Sequence, residues 1–106
     1  MATNRILRLS QKPTGVWQPT VFIQFAGRMG PTAIVWDDNK QVLYVARYEL
    51  SDITDKGIIS IINIEGQIIK EITVPAPEIS GLALSPDGSY LVVSESSTNT
   101  LYRVPV

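Results

Sequence analysis

Glu95 stands in the run Ser94-Glu95-Ser96-Ser97, one carboxylate among hydroxyls. A carboxylate so placed can ligate a hard cation or take a proton as a general base, and its plainer reading is a solvated loop carboxylate. Arg47 followed by Tyr48 could hold an anionic substrate, because a guanidinium grips a carboxylate through two parallel hydrogen bonds; the plainer reading is a surface arginine. Ser80 puts a hydroxyl ahead of an apolar run, with no elbow motif and no adjacent base to make it a nucleophile. Glu49, Asp52 and Asp55 are spaced loosely like a calcium loop but lack the turn glycine and closing glutamate of an EF-hand, so they read as a solvated loop. Trp17 and Trp36 could stack on a sugar ring, although Trp36 lies inside a β run and reads better as core.

Absences narrow the chemistry further. The 106 residues include no cysteine and no histidine. That excludes disulfides, thiolate catalysis, Ser-His-Asp arrangements and the commonest zinc ligand. Carboxylates, hydroxyls, amides or a hard cation must carry any reaction. A formal net charge of -1 with scattered basic residues offers no footprint for nucleic acid and no basic face for a membrane. No apolar run approaches the roughly 20 residues that cross a bilayer. A cytoplasmic protein is expected, in keeping with a cysteine-free chain.

These side chains must be positioned by strands. Isoleucine and valine together make 23 residues, and β-branched side chains fit a pleated surface better than a helix. Strands are predicted at residues 5–10, 20–25, 33–36, 42–46, 58–64, 67–74, 82–84, 90–94 and 101–104, with 47–56 as a loop. Turns are predicted at Asp37-Asp38-Asn39-Lys40, at Glu65-Gly66 and at Ser85-Pro86-Asp87-Gly88. Residues 32–46 lie over 80–94 without a gap at an offset of 48 positions, and Leu101–Val104 matches both Ile59–Ile62 and Ile6–Leu9. A repeat of this length built from short strands is the mark of a propeller blade. The expected fold is all-β, a partial β-propeller of about two four-stranded antiparallel blades of the six-bladed type. Its units are 1–27 (two strands), 28–77 (a full blade) and 78–106 (three strands).

The stretch Glu78-Ile79-Ser80-Gly81-Leu82-Ala83-Leu84-Ser85-Pro86-Asp87-Gly88, continued by Leu91-Val92-Val93-Ser94-Glu95 and by Leu101–Val106, resembles the senescence marker protein/gluconolactonase family, also called regucalcin-like. The resemblance covers about two of that family's six blades. It implies hydrolysis of lactones or related esters, with calcium or another divalent cation at one mouth of the channel polarising a carbonyl and acidifying a bound water. Carried onto this chain, the family's ligand asparagine falls at Ser80, and at Thr32 in the middle unit. Its strand-end aspartate falls at Glu95, and at Arg47 in the middle unit. Glu95 alone keeps a plausible ligand and base, with Arg47, Tyr48 and Ser80 left to touch a substrate.

Blades pack face to face, so the end units of a short array leave apolar faces uncovered. Self-association into a homo-oligomer is expected to cover them. A non-catalytic propeller module presenting loops to a protein or carbohydrate is the other function that this pattern allows.

Overall fold

The computed structural model describes residues 5–24, 29–49, 56–75 and 77–106, with backbone alone for 29, 30, 48 and 49. The described chain is all-β, with no helix among these residues. Strands β1 (Arg5–Gln11) and β2 (Trp17–Gln24) form a hairpin. Strands β3 (Met29–Asp37), β4 (Val42–Glu49), β5 (Gly57–Asn63) and β6 (Ile68–Val74) form a four-stranded sheet in chain order. Strands β7 (Ile79–Leu84), β8 (Tyr90–Glu95) and β9 (Thr100–Pro105) form a third sheet. All pairings are antiparallel.

Period-two alternation divides the middle sheet into two faces. Val42, Tyr44 and Ala46 of β4 point with Ile59 of β5 and Val74 of β6 toward the third sheet, where they meet Ile79, Leu91 and Val93. Val45 and Ile62 point the other way, onto Ile6, Phe22 and Ile23 of the hairpin. The middle sheet is thus layered between its neighbours, with β3 lying against β7 and β1 against β3.

The internal repeat extends to the irregularities. The ladder of β3 with β4 slips between Pro31 and Ala33, and that of β7 with β8 slips between Ile79 and Gly81, the same places 48 residues apart. A bulge at Thr32 and at Ser80 bends both strands where they enter the sheet.

Several strands outrun their sequence-based bounds. β4 continues through Glu49, where 47–56 was expected to be a loop, because Met29, Gly30 and Pro31 supply partners for Glu49, Tyr48 and Arg47. β2 begins at Trp17, and β7 at Ile79. Phe25 and residues 50–55, including Asp52 and Asp55 of the acidic segment, lie outside the described residues. Trp36 is not core: it is 43% exposed, because the hairpin touches β3 only in part and leaves an open groove beside this face. Both faces of β6 carry isoleucines, yet Ile68 and Ile69 stay exposed. Among the described residues the third sheet has no strand in the position that β6 occupies in the middle sheet.

The turn after β5 shows how the hairpin is held. Gly66 has φ of 83°, and a Cβ there would lie 2.6 Å from the backbone oxygen of Phe22 in β2. Gly15 also has positive φ, 88°, but open space around it. Gly66→Ala is therefore expected to destabilise by about 1–3 kcal/mol from conformation alone, plus the displacement of β2, and Gly15→Ala by about 1 kcal/mol. Urea midpoints for the two variants would test this; equal midpoints would mean that β2 does not rest on this turn.

Candidate functional site

Arg47, Ser80 and Glu95 lie at one end of the sheets, away from the turns that follow β3 and β7. Ile79 pairs with Glu95, and Pro31 with Arg47, so the bulged residues Ser80 and Thr32 adjoin the ends of β8 and β4. The Ser80 hydroxyl donates to the Ser94 carbonyl at 3.3 Å, and its Oγ lies 3.0 Å from Ser94 Oγ. Thr32 Oγ1 does the same in the middle sheet, 3.3 Å from the Ala46 carbonyl, the position 48 residues before Ser94. Thr32 Oγ1 also lies 3.1 Å from the Ile79 carbonyl, which joins β3 to β7. A hydroxyl at this position supplies a donor where the bulge disturbs the ladder.

Glu95 is 2% exposed and faces the middle sheet with Leu91 and Val93. Oε1 accepts from the backbone N–H of Glu78 and of Ser97, each at 3.0 Å, and from the Ser97 hydroxyl. Oε2 accepts from the backbone N–H of Thr98 at 2.9 Å and from the Thr98 hydroxyl. A carboxylate has about four lone-pair sites, and five donors converge on them. Desolvation works to raise its pKa, but hydrogen bonds from Ser97 and Thr98 outweigh it and hold the group at about 2. The side chain ties the loop after β8 to the segment before β7.

Arg47 is 8% exposed and lies on the opposite face of the middle sheet, the face of Val45 and Ile62. One guanidinium nitrogen is 4.0 Å from Glu71 Oε2. Burial lowers its pKa against the attraction of Glu71, which acts to raise it. The thickness of a sheet therefore separates Arg47 from Glu95, and the structure does not bring them into one pocket. Tyr48 pairs through its backbone with Gly30, and its side chain lies outside what is described.

A divalent cation, which the resemblance implies, needs several oxygens with open lone pairs converging at 2–2.6 Å. Among the described residues no three acidic side chains converge in this way. The two oxygens of Glu95 are already surrounded by donors, so the residues present do not fit a cation within one copy.

The sequence reading missed Asp37, a carboxylate buried as deeply as Glu95. Oδ1 accepts from the backbone N–H of Asn39 at 3.0 Å and of Lys40 at 3.2 Å, while Oδ2 is buried without a hydrogen-bond partner. The Tyr44 phenol beside it has its pKa raised by burial and then by the Asp37 charge. Lys40 Nζ reaches the Gly88 carbonyl at 3.3 Å, so the turns of adjacent sheets are tied together. An aspartate that opens a polar turn was the available signal, but its burial depends on the neighbouring sheet.

A further hollow among the described residues lies elsewhere, between the hairpin and β3. It is a groove of about 330 Å³ lined by Leu7, Arg8, Phe22, Ile34, Trp36 and Leu43 among others. Its walls are mainly apolar, with the Arg8 guanidinium 6.0 Å from the centre of the Phe22 ring. No helix among the described residues is long and apolar enough to cross a membrane. No family model matches the chain, and no curated protein matches it.

Proposed function

We propose that this chain is a segment of a gluconolactonase-like β-propeller that works by binding and assembly, with the catalytic cation site of such propellers not formed. One observation carries this reading: both oxygens of Glu95, the residue placed to ligate or act as base, are occupied by donors of its own loop and of the segment before β7. A carboxylate held at about pKa 2 is also a weak base near neutral pH. Apolar side chains on the outward faces favour a partner: Leu7, Leu9 and Val21 on the hairpin and Leu101 on the third sheet are all exposed. The partner proposed is further copies of the same chain, in the reducing cytoplasm that a cysteine-free chain suits.

The test is direct. Millimolar calcium is expected to leave the melting temperature unchanged, and simple aliphatic lactones to be hydrolysed no faster than in buffer. Calcium-dependent lactone turnover that Glu95→Gln abolishes would overturn the proposal in favour of a hydrolase.

A further inference from the structure

Two pairs of equivalent residues have different fates. Leu82 and Leu84 of β7 pack into the core against Ala33 and Val35 of β3. Their counterparts 48 residues earlier, Ile34 and Trp36, are 52% and 43% exposed and form one wall of the 330 Å³ groove. What covers Leu82 and Leu84 is the first strand of the preceding sheet. Among the described residues the hairpin that precedes the middle sheet has no strand of that kind, so Ile34 and Trp36 face an open groove.

The third sheet carries the complementary shortage. In the middle sheet β5 is flanked by β4 and β6, whereas among the described residues β9 has β8 on one side and no strand on the other. Among the same residues β1 has β2 on one side and nothing equivalent to β4 on the other. β1 and β9 are versions of one strand: Ile6-Leu7-Arg8-Leu9 and Leu101-Tyr102-Arg103-Val104 place arginine alike. Each arginine lies over an aromatic ring, Arg8 over Phe22 and Arg103 over Tyr90. β9 pairs with β8 in the register that β5 keeps with β4: Ile59 sits opposite Ala46, and Leu101 opposite Ser94.

We infer that the occupant of the groove is the third sheet of a second copy, and that the two copies join by strand exchange: β9 of one copy takes the place of β1 alongside β2 of the next. The inference rests on the proposed reading of the chain as an assembling propeller segment. The joint sheet then runs β7, β8, β9 and the next copy's β2, four strands like the middle sheet. Its β7 and β8 lie over Ile34 and Trp36 and continue the sheet-on-sheet interface that exists inside each chain. The contact is heterologous, so copies add head to tail until a ring closes. β1 is the strand to yield, because all its residues but one are exposed, whereas Tyr102 and Val104 of β9 are packed into the core. Pairing at a strand edge supplies backbone hydrogen bonds, and the covered face supplies apolar burial.

The absence of cysteine from these 106 residues makes a crosslinking test clean. Arg8 sits opposite Thr20 in the hairpin, and by equivalence Arg103 of one copy comes opposite Thr20 of the next. Oxidised Thr20→Cys/Arg103→Cys is expected to run as covalent multimers on denaturing gels. Oxidised Arg8→Cys/Thr20→Cys locks β1 onto β2 and is expected to stay at the mass of one chain by light scattering, with reduction restoring the larger mass. Assembly of the locked form equal to wild type would overturn strand exchange while leaving self-association standing. A wild-type chain that stays at 11.7 kDa across concentrations would instead overturn the assembling reading itself.

Discussion

Ile59→Ala is expected to lower stability by about 2–5 kcal/mol, a large part of the roughly 5–15 kcal/mol that holds a small domain folded. Ile59 is fully buried in the cluster that joins the middle sheet to the third, and its strand has neighbours on both sides. Removing three carbons there leaves a cavity that well-paired strands cannot collapse to fill. Ile62 has the same volume and is equally buried, but it belongs to the smaller cluster under the hairpin. That cluster borders the open groove, where neighbours can relax, so Ile62→Ala is expected at the lower end of the range. Thermal melts would show the difference, with Ile59→Ala lowering Tm by more than about 10 °C. Should both variants melt within a degree or two of wild type, the two-layer core described above would be wrong.

The second large effect concerns acid. Glu95 is held at about 2 when folded against an ordinary 4.5, and Asp87 at about 2 against 3.8. For Asp87 the hydroxyl of Ser89 is the main cause, followed by its N–H and the Ser85 hydroxyl. A group whose pKa is lowered on folding binds its proton more readily in the unfolded chain. Its contribution to stability is therefore complete above the ordinary value and disappears as pH falls toward 2. The wild-type melting temperature should fall from about pH 4.5 downward. In Glu95→Gln, one oxygen gives way to an amide NH₂ that meets the donors of Ser97 or Thr98. That variant is expected to melt well below wild type at pH 7 and to converge on it near pH 2. Asp87→Asn should follow the same direction more weakly, because the Asp87 side chain is exposed. Parallel melting curves for Glu95→Gln and wild type across this range would contradict the assigned role.

The internal repeat is where the sequence was most legible. The 48-residue offset anticipated which strands pair, and it extends to the bulges at Thr32 and Ser80, whose hydroxyls reach the Ala46 and Ser94 carbonyls in turn. β-branched runs located β4, β5 and β8 to within a few residues. Strand ends were less legible: Met29 to Pro31 look like a break in sequence, yet they pair with Glu49 to Arg47 because the partner strand extends that far. The candidate site was the least legible part. Glu95, Arg47 and Ser80 were found as polar residues near strand ends, but no local pattern says that five donors will surround Glu95 or that a sheet will stand between it and Arg47.

What the amino-acid order determined by itself is local and periodic: strands from β-branched alternation, turns from Asp, Gly and Pro, and a register repeated along the chain. Tertiary structure alone decided which apolar residues became core. Leu84 and Trp36 occupy the same place in their repeats, yet Leu84 packs against β3 while Trp36 faces an open groove. The difference lies in the neighbouring sheet, because burial is a property of what lies opposite a side chain and is not encoded by the residue that carries it.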